Sequence, residues 1–286
     1  MADTYFAETV PLPSTSLSID DLKQLAEKLQ AKAMEAAKLQ IGPESFQDAD
    51  SEMSYSELLD TSRNLFEITI HARVRDEPAI TGRGTSVFDR AELHHDLESL
   101  EIECRIAFQR ALTSGNEPLN WFSLFFDFTK PPVLDWRNPV SNPTPNNSNL
   151  TIKGTDHSWV SGVKAEVNKV LNRNRNKRSW LHAPFMYDLG LFAVGLPSVF
   201  FALWLISPAV DSLVGGQNTV FLVALYVYFF LIALNVYRVA FFSIRWALPK
   251  VEISDQVTIP QKLGRWIIAA LSIVGSIITI YSAGPF

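Results

Sequence analysis

The chain has 286 residues, a formal net charge of −5 and 47% hydrophobic residues, which leaves room for one water-facing domain and a small apolar helical region. Acidic residues dominate from Asp3 to Glu103, so the uniformly basic surface of a nucleic-acid binder is excluded. Cys104 is the single cysteine, which excludes an internal disulfide framework and a cysteine-based metal site.

Residues 1–16 carry Pro11, Pro13 and several Ser and Thr, and read as a flexible lead-in. A helix is expected next. Ser18 is placed to cap it, Asp21 stands three residues on, and Leu17 and Leu22 suit a hydrophobic staple. Leu22, Leu25, Leu29, Ala33 and Ala36 form one apolar stripe, and Gly42-Pro43 ends it. The stripe fades to alanine, so packing within its own domain is favoured over pairing with a second copy.

Phe66, Ile68, Ile70, Ala72 and Val74 alternate with Glu67, Thr69, His71, Arg73 and Arg75. This period of two predicts a strand with one wet face. Leu100, Ile102, Cys104, Ile106 and Phe108 repeat the pattern against Glu101, Glu103, Arg105 and Gln109. Cys104 falls on the apolar side and reads as a small buried hydrophobe. Gly84–Phe88 is expected as a short strand paired to the first. Trp121–Thr129 is apolar on both faces, like a covered strand. Pro131 to Asn149 reads as a loop and Leu150–Lys153 as a further short strand. Thr155 or Asp156 then caps a helix bearing Trp159, Val163, Val167 and Val170. The expectation is an α+β domain over residues 17–180, an antiparallel sheet with helices on one face. It is expected to fold without the remainder of the chain.

No motif names a reaction. His94-His95-Asp96, with Glu92 and Glu98, is the densest group of ligand-type side chains, but adjacent histidines point apart and form no preset chelate. Gly82-Arg-Gly84-Thr lacks the Lys-Ser/Thr of a phosphate loop. Asn146-Asn-Ser148 and Asn149-Leu-Thr151 match the glycosylation pattern, which is inert on a cytosolic domain. No pair of carboxylates is singled out as acid and base. The protein is expected to be no enzyme, with no cofactor and no metal.

Three apolar runs follow: 189–206, 219–238 and 266–283. The first two are long enough, at ~1.5 Å per residue, to cross a ~30 Å hydrocarbon core; the third is at the low end, with a re-entrant or interfacial helix as the alternative, and a span is expected because Ile267–Ala283 carries no charge. Lys164, Lys169, Arg173, Arg175, Lys177 and Arg178 precede the first run, and Arg238 and Arg245 end the second. The intervening loop, Ser207–Asn218, holds Asp211 and no basic residue. With no signal peptide visible at the start, this distribution predicts a cytoplasmic N-terminus and a multi-pass protein of a bacterial inner membrane. Arg173, Arg175, Lys177, Arg178, Arg238 and Arg245 are the expected inner-interface cations. Asn235 is the strongly polar side chain inside a span, suited to an interhelical hydrogen bond. Ala269, Ser272, Ser276, Thr279 and Ala283 share one face of the third run, which should pack closely on another helix of this chain or of a second copy.

The expected architecture is the α+β domain followed by three transmembrane helices. Its organisation resembles bacterial membrane sensors and membrane-perturbing effectors. The expected function is a membrane module whose cytosolic domain binds a partner or signal, a protein or small ligand, and is anchored by or acts through the helices. Its other partners are the bilayer and a second copy through the third span; nucleic acid is not among them. The rival readings are a docking subunit of a larger membrane assembly and a membrane enzyme with an unrecognised site.

Overall fold

A computed structural model describes residues 5–41, 57, 60, 63–107, 118–132, 141–214 and 219–267. The chain forms two compact units. The first gathers residues 1–129, 146–177 and 251–257; the second gathers 130–145, 178–250 and 258–286.

The first unit is an α+β fold. Its strands are β1 (Phe6–Pro11), β2 (Thr15–Leu17), β3 (Thr69–Val74), β4 (Ile80–Arg83), β5 (Leu97–Glu103), β6 (Trp121–Asp127) and β7 (Asn149–Gly154). Six of them make one antiparallel sheet in the order β1-β7-β6-β5-β3-β4. Ile70, Ala72, Leu100, Ile102, Phe122, Leu124, Leu150 and Ile152 are buried on one face, as strand alternation requires. Helices α1 (Ile19–Gln40) and α2 (His157–Arg173) close over that face through their apolar stripes.

Local chemistry sets the helix starts. Ser18 and Asp21 form the reciprocal capping box, and Asp156 caps α2 by accepting from the Ser158 amide. The Trp159 indole donates to the Lys32 carbonyl at 2.8 Å, tying α2 to α1. Helix α1 ends at Gln40, just before Gly42-Pro43.

Three segments differ from the sequence expectation. Residues 6–11, expected as a flexible lead-in, form an edge strand on β7. An edge strand pairs on one side only and tolerates its terminal Pro11. Residues 84–88 are not a strand. The partner of β3 is Ile80–Arg83, and Gly84, at φ 66°, turns the chain into a 3-10 turn over Thr85–Asp89. Most consequential is β8 (Val251–Ile253), which follows the second apolar helix yet pairs in parallel with β2. Val251 and Ile253 are buried in the core of the first unit. Asp255 accepts from the Ile19 amide at 3.2 Å, and Gln256 both accepts from the Leu97 amide at 2.9 Å and donates to the Leu93 carbonyl at 2.7 Å. The α+β unit is therefore discontinuous and not confined to residues before 180. Three buried residues are too few to show a period, which is why this strand escapes sequence reading.

Among the described residues of the second unit, two helices are long and apolar enough to cross a membrane: α3 (Met186–Val214) and α4 (Thr219–Ala247), with mean hydropathy 2.2 and 2.3. Their apolar windows are 11% and 0% buried, so they are not core helices of a globular domain. Helix α3 runs on through Ser207, Pro208 and Asp211, where a loop is expected. A π turn occupies Leu191–Gly195, directly before Pro197. Proline cannot donate to the Ala193 carbonyl, and a wider turn relieves the clash of its ring with the preceding turn. The third apolar run falls almost wholly outside the described residues. Of it only Trp266 and Ile267 are described, at the end of a helical stretch over residues 259–267.

Candidate functional site

The helices cover one face of the six-stranded sheet. The other face carries the polar halves of the alternating strands, and their register sets out a grid. One rung runs Arg83, Thr69, Glu103, Ser123, Thr151 and Thr9. The next runs Thr81, His71, Glu101, Phe125, Asn149 and Pro11. Cross-strand neighbours on one face lie about 4.5–5.5 Å apart at Cβ, close enough for side chains to meet.

They meet around Glu103. This side chain is only 2% exposed. Its Oε1 stands 3.2 Å from His71 Nε2, and its Oε2 is 3.9 Å from Arg105 Nε. Oε2 is buried and makes no hydrogen bond among the described residues. His71 is oriented through Nδ1, 2.9 Å from Thr81 Oγ1. Glu101 accepts from the Ser123 hydroxyl at 2.7 Å. Burial first, then the negative charge of Glu101, push the Glu103 carboxyl above its usual range, against the opposing pull of Arg105 and His71.

Trp121 borders the group. It is 8% exposed, with the Arg105 guanidinium 4.8 Å above its ring. Its indole Nε1 is buried and finds no acceptor among the described residues. The site thus offers an unsatisfied carboxylate acceptor and an unsatisfied indole donor, flanked by a second carboxylate, an imidazole and a guanidinium. Buried polar atoms left without partners are uncommon and costly. The arrangement suits hydrogen bonding to a polar ligand.

The sequence lists both wet strand faces that supply Glu101, Glu103, Arg105 and His71, but singles none of them out. The missing information is the register between strands far apart in the chain. The face opposite the core is also less covered than expected at Trp121–Thr129: Trp121 is buried, whereas Phe125 is half-buried. His94, His95, Asp96 and Glu92 are exposed beside or within a short 3-10 turn. No group of three or more His, Cys, Asp or Glu side chains converges on a metal-sized site among the described residues. Cys104 is fully buried, and burial pushes its thiol up to about 12.

The basic residues expected at the inner interface separate into different roles. Arg173 pairs with Asp21 at 2.5 Å, and Arg175 bridges to Thr15. Lys177 is exposed and Arg178 half-buried, both in a 3-10 turn before α3. Arg238 lies over the Phe242 ring at 5.6 Å. Arg245 is 4% exposed; it donates to the carbonyls of Leu181 and Asn142, both at 3.3 Å, and stacks on Phe241 at 4.7 Å. Beside it, His182 is buried, with Nδ1 2.9 Å from Thr144 Oγ1. Asn235 donates to the Leu231 carbonyl at 2.9 Å, a bond within its own helix. Ala269, Ser272, Ser276, Thr279 and Ala283 lie outside the described residues.

No protein-family model, curated protein or solved structure matches this chain.

Proposed function

We propose that this protein is a non-enzymatic membrane module in which α3 and α4 anchor the α+β unit at a bilayer, and the polar sheet face around Glu103 binds a polar partner or signal. One observation carries the binding role. The fold holds Glu103 buried, with one oxygen lacking a hydrogen bond among the described residues, on the sheet face opposite α1 and α2. A buried carboxylate without full hydrogen bonding lowers stability, and such costs concentrate where binding needs them. The ligand supplies a hydrogen-bond donor to Glu103 and an acceptor to Trp121.

The anchor rests on the length, apolarity and exposure of the two helices. Chain order supports a hairpin. Residues 146–177 before α3 and 251–257 after α4 belong to the same compact unit, so the chain leaves that unit into α3 and returns to it after α4. Lys177 and Arg178 flank that end of α3, and Arg238, Arg245 and Lys250 that end of α4, which favours the cytoplasmic side.

Two measurements test this reading. The protein should stay with the membrane pellet in alkaline carbonate. In detergent, a ligand from a panel of polyamines, amino acids and nucleotides should raise its unfolding temperature, and Glu103→Gln should abolish that shift while leaving the unliganded protein folded. Release by carbonate removes the anchor. A ligand shift that survives both Glu103→Gln and Trp121→Phe removes the sheet face as the binding site.

A further inference from the structure

Helices α3 and α4 leave an open apolar groove of about 450 Å³ between them. Gly195, Ser198 and Ala202 line its α3 side, and Phe229, Ala233 and Val236 its α4 side. Small residues there let a further backbone approach closely, which in lipid is a principal source of helix–helix affinity. The helix pair alone does not fill it.

We propose that the groove receives the chain's own third apolar run, with Ser276, Thr279 and Ala283 seated against Gly195, Ser198 and Ala202. The entry point is in the structure. Residues 259–267 are helical, and Arg265 donates through Nε to the Ala247 carbonyl at 3.0 Å. Gly264 lies against the same residue, an added Cβ falling 3.4 Å from the Ala247 Cβ. The run therefore sets out from the foot of α4, at a known height on it.

A helix continued from that foot alongside α4 would match the groove in height. A helix rises ~1.5 Å per residue. Thr279 is fourteen residues beyond Arg265 in sequence, and Ala233 fourteen before Ala247, so in such a helix each would lie ~21 Å from that foot. By the same measure Ser276 would reach the height of Val236 and Ala283 that of Phe229. On α3, Gly195 is level with Tyr237, since an added Cβ would lie 3.2 Å from that ring. Phe200 stacks on Phe230 at 5.9 Å. Ser198 is thus level with Ala233, and Ala202 with Phe229. Gly195, Ser198 and Ala202 are spaced three and then four residues apart, and so are Ser276, Thr279 and Ala283. With the third run leaving from the end where α3 begins, the two rows would match position for position along parallel axes. The remaining chain is long enough: residues 268–283 span ~24 Å as a helix, which reaches the top of the groove.

Disulfide mapping in native membranes tests this in the full chain carrying Cys104→Ala. The pairs Ser198→Cys with Thr279→Cys and Ala202→Cys with Ala283→Cys should each lose both thiols on mild oxidation, counted by maleimide-polymer addition, without forming dimers. The offset pair Ser198→Cys with Ser272→Cys, ~10 Å out of register, should keep them. Dimers from the matched pairs would assign the groove to a second copy, and retention of thiols in both matched pairs would leave it to lipid; either overturns the proposal. Equal loss in the offset pair overturns the register. The two matched pairs are read independently, so one variant that fails to reach the membrane leaves the other decisive.

Discussion

Ile253→Ala isolates the contribution of β8, the strand that lies beyond α4 in sequence and inside the α+β unit in space. Ile253 is 5% exposed and pairs with Leu17, which is fully buried at the end of β2. The substitution removes three methyl or methylene groups, ~0.8 kcal/mol each by transfer. It also leaves a cavity that a short two-stranded pairing cannot fill by collapse. The expected loss is about 2–5 kcal/mol, a large part of the ~5–15 kcal/mol of a typical domain. Ile253→Val should cost about 0.5–1.5 kcal/mol, and Ile259→Ala, at a side chain 80% exposed, less than about 0.5 kcal/mol. The assay is hydrogen exchange of the full protein in nanodiscs, read on peptides covering Thr15–Gln30 and Leu93–Leu100. Exchange in both should accelerate in Ile253→Ala, because Asp255 and Gln256, which hold the Ile19 and Leu97 amides, follow in the same segment. Unchanged exchange and an unchanged unfolding midpoint would refute the assignment of residues 251–257 to the α+β unit.

Other expectations follow from individual groups. His182 is held down at about 4 by burial and then by the positive charges of Arg245, Lys250 and Arg178, against the raising effect of the Leu248 carbonyl. A depressed imidazole means the unfolded chain takes up the proton first, so stability is fully present above about pH 6.5 and falls as pH drops toward 4. The loss is up to about 3 kcal/mol, and His182→Gln should flatten that part of a pH-dependent unfolding curve. Glu103 has the opposite sign: its raised carboxyl makes stability fall as pH rises through its titration. Glu103→Gln should therefore unfold at a higher temperature at pH 7 and show no gain once the carboxyl is protonated, a differential-scanning measurement. The Cys104 thiol should resist maleimide at pH 7 in the folded protein and react only on unfolding, since it is fully buried and its thiolate is suppressed.

What the sequence made legible was whatever repeats. The stripe of Leu22, Leu25 and Leu29, the alternation around Ile70 and Ile102, and the Ser18–Asp21 cap each declare their element within a dozen residues. The apolar runs of α3 and α4 are legible for the same reason. Contacts between distant segments are not. Glu103 and His71 lie on strands whose wet faces are plain in the sequence, yet only the β3–β5 register brings them to 3.2 Å. The pairing of Thr15–Leu17 with Val251–Ile253 spans almost the whole chain, and neither strand is long enough to show a period. The π turn is an intermediate case: Gly190, Gly195 and Pro197 mark an irregular helix, but the sequence does not show that Tyr237 occupies the space beside both glycines.

The proposed membrane hairpin predicts that α2 and the end of α3 face opposite sides of the bilayer. Single cysteines at Ser158→Cys, exposed on α2, and Ser212→Cys, exposed near the end of α3, report it in the Cys104→Ala background. A membrane-impermeant maleimide applied to intact cells should modify the Ser212→Cys protein and leave the Ser158→Cys protein untouched until the cells are opened. Modification at position 158 from outside, or protection of position 212 until lysis, would contradict the topology.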